Sequence, residues 1–373
     1  MIKFLQLEKN VQTDDFLKKL TFTMNFSSEK RKLNFKNQKS QNLIKIKEKN
    51  DILKSLVFFG QNNVGKSKLI NEIIQFKNLI LSGKSELPFL NIKIRFFLHH
   101  QNDFTETEYI LHILNNEIIN EELSFFPKKT KVKVFSRFYN DFHFGKGFKC
   151  AKIDKFCRYI NSDSVFLSEI AQNDFFSTDE KFKIFCDVYN FFINDFIFEK
   201  INPEIFITKH NLFLEFLHQA NFNILNYQNP YTFYENIQND SSGTKEFVFT
   251  LAKIIQENNS GKLIFLDDFA QNLHPILARF LIKIIHSTKN LQFIINTNST
   301  SLLDTKLFRT EQINFIDLFD FNDFMNKRLY DFKDFRENMN AEKCYLEGRF
   351  SATPFIITSE NTIRNILNAG EKL

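Results

Sequence analysis

The residues from Gly60 to Ser67 fit the phosphate-binding pattern G-x-x-x-x-G-K-[ST]. In this pattern the glycines let backbone N–H groups surround the β-phosphate, and the N-terminus of the following helix adds partial positive charge. We expect Lys66 to reach the β- and γ-phosphates and Ser67 to place its hydroxyl on Mg²⁺. The predicted nucleotide-binding residues are Gly60, Gln61, Asn62, Asn63, Val64, Gly65, Lys66, Ser67 and Lys68.

The sequence around this loop has the order that the pattern requires. An apolar run at residues 55–59 precedes the loop as a buried strand would, and residues 68–74 follow with apolar side chains at helical spacing. A chance glycine turn before a helix is the alternative. The flanking strand and helix favour the nucleotide-binding loop.

Two aspartates follow another apolar run, at residues 263–266. Ligands of open α/β sheets gather at the carboxyl ends of the strands. There Asp267 is predicted to hold Mg²⁺ through its water shell, and Asp268 to act as general base on the attacking water. Alternatively, an aspartate in this place caps the next helix.

A second predicted anion-binding helix start lies at residues 239–245, ahead of a helix expected to begin near Glu246. Ser242 offers a hydroxyl there, and Gly243 lets free backbone N–H groups face a phosphate. Taken alone, the segment is only a good helix cap.

The elements that must position these residues alternate between strands and helices. Residues 1–54 indicate strands and turns, residues 90–98 and 109–114 an antiparallel hairpin, and residues 262–266, 291–295 and 312–316 further buried strands. Helices are predicted at 179–197, 212–222 and 276–287. This order predicts an α/β fold with a mixed, largely parallel sheet. Three parts are expected: 1–139 with the phosphate loop and the hairpin, 140–235 as an inserted helical region, and 236–373 with the acidic strand.

Composition excludes few classes of partner or site. The net charge of +5 allows a nucleic-acid partner but does not indicate one. Four cysteines show no zinc spacing and no disulfide framework. The start of the chain lacks a signal peptide, and no stretch approaches the roughly 20 apolar residues that a membrane helix needs. We therefore expect a cytoplasmic protein that does not contact a membrane.

The order of the motifs resembles the ABC/SMC-related AAA ATPases of the RloA and AbiLii type, which are associated with bacterial defence and abortive infection. The residues that carry the resemblance are the phosphate loop, Ser-Ser-Gly-Thr-Lys at 241–245, Leu-Asp-Asp with His274-Pro275 downstream, and Asn-Thr-Asn-Ser at 296–299. The segments 330–336 and 345–354 are similar to the family's ending. The likeness therefore spans nearly the whole chain, and the ending is its most specific part.

The resemblance implies a P-loop NTPase fold of the ABC-type ATPase head. It also implies that ATP is held between two subunits, with Ser242 and Gly243 of one contacting the γ-phosphate bound by the other. A homodimer or higher homo-oligomer is then expected, acting as a sensor or regulator in a defence system. The effector, such as a nuclease, would be a separate chain. The alternative is a DNA-binding ATPase of the RecF or SMC kind in repair or recombination.

Two residues depart from the family pattern. The family usually has Asp-Glu at the acidic strand, whereas Asp268 shortens the second carboxylate by about 1.5 Å, and a displacement of about 1 Å can lower a rate ~100-fold. The family's switch histidine is replaced by Asn298, which can donate a hydrogen bond to the γ-phosphate but cannot titrate. With Lys66, Asp268 and Asn298 as the catalytic set, we expect slow ATP hydrolysis.

Overall fold

A computed structural model describes residues 1–13, 16–28, 40–46, 51–61, 65–100, 103–127, 130–198, 201–319, 323–336, 338–354 and 359–370. Asn62, Asn63 and Val64 of the predicted phosphate loop lie outside the described residues. The strands are β1 (Ile2–Thr13), β2 (Phe16–Asn25), β3 (Leu43–Lys45), β4 (Asp51–Leu53), β5 (Ser55–Phe59), β6 (Phe89–His100), β7 (Asp103–Leu114), β8 (Glu117–Phe125), β9 (Val132–Phe138), β10 (Asp141–Phe144), β11 (Phe196–Ile197), β12 (Leu263–Leu266), β13 (Gln292–Asn296), β14 (Ile313–Phe319) and β15 (Asp323–Arg328). The helices are α1 (Lys66–Ser82), α2 (Ala151–Cys157), α3 (Phe166–Ala171), α4 (Asp174–Ser177), α5 (Lys183–Asn194), α6 (Ile205–Thr208), α7 (His210–Gln219), α8 (Phe233–Gln238), α9 (Ser242–Glu257), α10 (Pro275–Ser287), α11 (Ala341–Leu346) and α12 (Glu360–Gly370).

The central sheet has the strand order β11-β12-β13-β5-β14-β15. The first five of these strands are parallel, and β15 pairs antiparallel with β14. Strand β5 is buried along its whole length because both faces of the sheet are covered. Leu56 and Phe58 enter one hydrophobic core, and Val57 and Phe59 enter the other. The prediction of a mixed α/β sheet is confirmed.

A second, antiparallel sheet has the order β10-β9-β8-β7-β6-β1-β2. Strands β6 and β7 pair from Phe89 opposite Leu114 to His100 opposite Asp103, which confirms the predicted hairpin. The short strands β3 and β4 pair with each other. The N-terminal antiparallel part of the fold was therefore predicted correctly.

Helices α1, α3 and α5 contribute to the core that also takes in the buried face of the antiparallel sheet. Phe191 of α5 stacks on Phe96 of β6 with ring centroids 4.3 Å apart, and Phe76 of α1 meets Phe192 edge-on at 5.1 Å. Each such aromatic pair adds about 0.5–1.5 kcal/mol beyond the buried area. The packing anchors α1, whose first residue is Lys66.

Three expectations about the elements are corrected. Helix α9 begins at Ser242 rather than near Glu246, because the Ser241 hydroxyl caps it by accepting from Thr244 N. Residues 196–197 do not continue a helix but form β11, which pairs with β12. The region expected to be helical from residue 140 opens with β10, paired with β9.

The division into parts at residues 139, 140, 235 and 236 stays a prediction. Helices α2 to α8 all begin within residues 140–235. Among the described residues, no helix is both long and apolar enough to cross a membrane.

Candidate nucleotide-binding site

Three neighbouring strands of the central sheet end at the same edge. Gly60 follows β5, Asn296 ends β13, and Asp267 follows β12, with β13 lying between the other two. Because parallel strands share a carboxyl edge, residues far apart in the sequence meet there. The predicted phosphate loop and the acidic strand are therefore brought together.

Lys66 lies at the centre of this site and is only 6% exposed. Its Nζ donates to the carbonyl oxygens of Gly60 at 2.8 Å and Gln61 at 2.6 Å. Burial lowers the pKa of Lys66, and the carboxylates of Asp268 and Asp267 act in the opposite direction. The ammonium group is thus held on the loop's own carbonyls, close to two acidic residues.

The start of α1 has the geometry of an anion-binding helix terminus. Gly65 has a φ of +96°, a left-handed conformation that favours glycine. Among the described residues, no side chain caps this terminus. Ser67 and Lys68 are exposed on the first turn. The first N–H groups of the helix therefore remain available to an anion.

Asn296 belongs to the motif at 296–299, but no role in the site was predicted for it from the sequence. It is fully buried, and its Nδ2 donates to the carbonyl of Lys66 at 2.8 Å and to Oδ1 of Asp267 at 3.1 Å. Its own Oδ1 is buried without a hydrogen-bond partner in the described part of the chain. A polar residue ending the apolar run of β13 was the available signal.

Asn298 lies two residues further along and is exposed. The residue between them, Thr297, is buried, and its hydroxyl donates to the carbonyl of Phe269 at 2.6 Å. The end of β13 therefore contacts both α1 and the loop after β12. The γ-phosphate role of Asn298 stays a prediction.

The loop after β12 carries both aspartates and has an unusual backbone. Asp267 and Asp268 are exposed, and Asp268 and Ala270 have φ values of +48° and +64°. Non-glycine residues in this region are uncommon, and they cluster at functional sites. The backbone therefore favours a functional role for Asp268, which was predicted as the general base.

Glu246 of α9 fixes this loop. Its carboxylate accepts from Ala270 N at 2.5 Å and from Asn272 N at 2.9 Å. Gly243 lies so close that a Cβ added there would be 2.8 Å from the carbonyl oxygen of Asn272. The start of α9 is therefore docked on the loop that presents the aspartates.

Within the described residues, no hydrogen bond joins Ser242 or Gly243 to Lys66, Ser67 or either aspartate. Ser242 is exposed on the first turn of α9. His274, noted in the sequence, caps α10 by accepting from Ile276 N at 3.3 Å. The single chain thus assembles the phosphate loop with the acidic strand and leaves Ser242 facing solvent.

The C-terminal segment also reaches the phosphate loop. Gln61 Nε2 donates to the carbonyl of Thr353 at 2.6 Å. Behind this contact, the rings of Tyr345 and Phe350 stack on Phe315 of β14 with centroids 5.6 Å and 4.6 Å away. The ending that carries the family resemblance therefore supports the loop from one side.

The residues present fit a magnesium nucleotide. Lys66 supplies a cation, α1 supplies free N–H groups, and the Ser67 hydroxyl and the Asp267 carboxylate are exposed oxygen donors, the type that Mg²⁺ prefers. Oδ1 of Asn296 is buried without a hydrogen-bond partner among the described residues, so it can accept a further hydrogen bond beside these groups.

A family model agrees with a nucleotide-binding site in this chain. Residues 55–304 match the model of a family described as "AAA domain, putative AbiEii toxin, Type IV TA system". Among solved structures, the chain is similar to an SMC head bound to the C-winged helix domain of ScpA. That match has 13% identity and a TM-score of 0.38, and covers 88% of this chain and 98% of the other. No curated protein matched the chain.

Proposed function

The chain belongs to this AAA-domain family of ATPases, and on that premise we propose that it binds ATP with Mg²⁺ at residues 60–68 and hydrolyses it slowly. The observation that carries the proposal is the contact of Asn296 with both Lys66 and Asp267, which joins the loop to the acidic strand. In this site Lys66 would hold the β- and γ-phosphates. Asp268 would accept the proton of the attacking water.

Magnesium would be held by the Ser67 hydroxyl directly and by Asp267 through water. The cation would offset the charge that develops on the phosphate oxygens. Asn296 would keep Asp267 in place by its donated hydrogen bond. Hydrolysis would be slow because the carboxylate of Asp268 is short by one methylene relative to glutamate.

We further propose that ATP closes a homodimer. One support is that Ser242 is exposed and has no hydrogen bond to its own chain's phosphate loop among the described residues. The other is that Gly243 and Glu246 hold α9 against the loop after β12, which carries both aspartates. In the closed dimer, the α9 start of one subunit would contact the ATP bound by its partner. ATP would favour the closed state by the free energy of these contacts, which the open state lacks. The nucleotide would then act as the signal for assembly.

The biological role that we propose is regulation of a bacterial defence or toxin–antitoxin system in the cytoplasm. The link to a toxin–antitoxin system rests on the matched family, which is described as a putative AbiEii toxin of a type IV TA system. The ATP-dependent dimer would sense the trigger and control a separate effector protein. Co-purification with ATP present, followed by mass spectrometry of the bound chains, tests this step.

The direct test of the site is calorimetric titration of the full chain with ATP and Mg²⁺, with Lys66→Ala as the variant. Loss of a charge-assisted hydrogen bond of about 1.5–3 kcal/mol weakens binding roughly 10- to 150-fold. Lys283→Ala, an exposed lysine of α10, is the matched control and is expected to bind normally. Equal binding by Lys66→Ala and the wild type would overturn the proposed site.

Light scattering during size-exclusion chromatography tests the dimer separately. The wild type is expected to dimerise with ATP and Mg²⁺, and Ser242→Arg to bind ATP but remain monomeric. A wild type that binds ATP and stays monomeric would reject the dimer and leave the binding site intact.

A further inference from the structure

A cluster of positive charge lies far from the phosphate loop in the sequence, around helix α2. Between residues 145 and 160 the cations recur at every third position, and Asp154 is the single acid. These cations are Lys146, Lys149, Lys152, Lys155 and Arg158. All five are exposed, and none forms an ion pair within the described residues.

Helix α2, which carries Lys152 and Lys155, packs on its neighbours. Ile153 of α2 is buried, and Phe156 packs on Phe176 of α4 with ring centroids 5.0 Å apart. Lys181 adds a sixth positive charge, since its Nζ donates to the carbonyl of Lys149 at 3.3 Å. Asp154 lies on α2 itself. On the neighbouring segment, Glu180 pairs with Lys183, Asp179 accepts from Lys181 N, and Asp174 begins α4.

Two aromatic side chains lie among these cations. Tyr159 is 83% exposed and Phe175 is 48% exposed. The Lys152 ammonium lies 4.3 Å from the centre of the Phe175 ring. Lys152, Lys155 and Tyr159 follow one another at spacings of three and four residues, which places them along one face of α2 and the turn after it. We name Lys149, Lys152, Lys155, Tyr159, Phe175 and Lys181 the α2 face.

We propose that the α2 face binds single-stranded nucleic acid. Unpaired cations at regular intervals suit a chain of phosphates, and exposed rings between them suit stacking of unpaired bases. An acidic protein partner would not need repeated spacing, and a membrane surface would need an apolar stripe, whereas Ile153 and Phe156 of α2 point into the core. The bases of a duplex are already stacked, so Tyr159 and Phe175 favour a single strand.

Fluorescence anisotropy tests this proposal with labelled oligo-dT, oligo-rU and a mixed-sequence duplex of equal length. The full chain is expected to bind a single strand at about 50 mM salt and to lose affinity steeply by about 200 mM, because phosphate contacts release counterions. The DNA and RNA arms show which single strand is preferred. No binding to either single strand at low salt, or tighter binding to the duplex, would overturn the proposal.

Variants locate the binding surface. Lys152→Glu with Lys155→Glu is expected to weaken single-strand binding at least tenfold and to reduce its salt dependence, since phosphate contacts are lost. Lys283→Glu with Lys289→Glu makes the same change in net charge on exposed lysines elsewhere and is expected to bind within twofold of wild type. Equal loss in both double variants would mean that only overall charge matters, which contradicts a defined face.

Stacking is tested by Tyr159→Ala, with the similarly exposed Tyr231→Ala as control. Removal of one stacking ring is expected to weaken single-strand binding roughly tenfold without changing the salt dependence. Normal binding by Tyr159→Ala would reject the stacking role. ATP titration of each variant shows that the fold is intact, because the α2 face contributes no residue to the nucleotide site.

Discussion

The backbone of Asp268 explains why the shorter acid stands at this position. Its φ of +48° lies in the left-handed region, where aspartate is favoured over longer side chains because it can hydrogen-bond locally. The backbone that presents the carboxylate therefore also restricts which acid is tolerated. A longer acid at this residue would reach further towards the γ-phosphate, whereas the left-handed backbone is more stable with aspartate.

We predict that Asp268→Glu raises the rate of ATP hydrolysis by about tenfold or more, because the added methylene restores about 1.5 Å of reach. The same variant is expected to lose about 1 kcal/mol of unfolding free energy through its left-handed backbone. Phosphate release at saturating ATP and urea denaturation measure the two effects. Asp268→Asn, the control without a base, is expected to bind ATP and release almost no phosphate; unchanged rates in both variants would contradict a catalytic role.

Asn296 carries a second prediction. Asn296→Asp replaces a donor to Asp267 by a second carboxylate, in a buried position where a like charge is strongly unfavourable. We expect ATP binding in Mg²⁺ to weaken at least tenfold and the unfolding free energy to fall by about 1–3 kcal/mol. Calorimetry over a series of Mg²⁺ concentrations separates a role in Mg²⁺ binding from a structural role. A purely structural role would leave the Mg²⁺ dependence of the remaining ATP binding unchanged.

The sequence predicted roles for the phosphate loop and both aspartates, but none for Asn296, which it named only within the motif at 296–299. Motif matching indicated Asn298, and both asparagines follow an apolar run, so the pattern alone does not show where β13 ends. The end is set by pairing with β5 and β12 on either side, which brings Asn296 beside Lys66 and Asp267. Contacts of this kind depend on residues more than 200 positions away.

At the scale of elements, the start of α9 carries Ser242, the proposed contact to the partner's ATP. It also packs on the loop after β12, which presents both aspartates. We predict that Gly243→Ala disrupts this packing, because the new Cβ would be 2.8 Å from the backbone oxygen of Asn272 and something must move. ATP binding to the monomer is expected to stay within about twofold of wild type, while ATP-dependent dimerisation and hydrolysis fall at least tenfold.

Gly147→Ala is the matched control, because a Cβ there meets no atom within 4 Å. It is expected to behave as wild type in binding, dimerisation and hydrolysis. Normal dimerisation by Gly243→Ala would contradict the role given to the start of α9.

The boundaries of the helices and strands show which of them local sequence patterns are enough to predict. The buried strands β5 and β12 and the β6–β7 hairpin follow from apolar runs and alternation. By contrast, adjacent serines at 241 and 242 could each cap a helix, and only the observed bond from Thr244 N to Ser241 decides where α9 begins. Strand β11 lies in a phenylalanine-rich run with no strand-like alternation, and it exists because β12 offers an edge for pairing.

At the scale of the whole molecule, Asn326 is one of the side chains that hydrogen-bond between the two large sheets, as Gln292 does with Ile2. Asn326 of β15 donates from Nδ2 to the carbonyl of Thr23 at 2.5 Å, and its Oδ1 accepts from Thr23 N at 3.1 Å. The amide thus imitates the backbone of a neighbouring strand at the edge of β2. No sequence pattern predicts this contact, because the two residues are 303 positions apart.

We predict that Asn326→Ala lowers the unfolding free energy by about 1–3 kcal/mol, because it removes both hydrogen bonds and leaves the N–H and C=O of Thr23 without their partners. The urea midpoint should fall with an unchanged slope, since the native surface stays the same. Asn290→Ala, an exposed asparagine in the turn before β13, controls for loss of an amide side chain and should leave the midpoint in place. If both variants unfold with the wild-type midpoint, the Asn326 amide adds nothing measurable to the contact between the two sheets. A second, lower transition in Asn326→Ala would instead show that this amide couples the antiparallel sheet to the sheet that carries the nucleotide site.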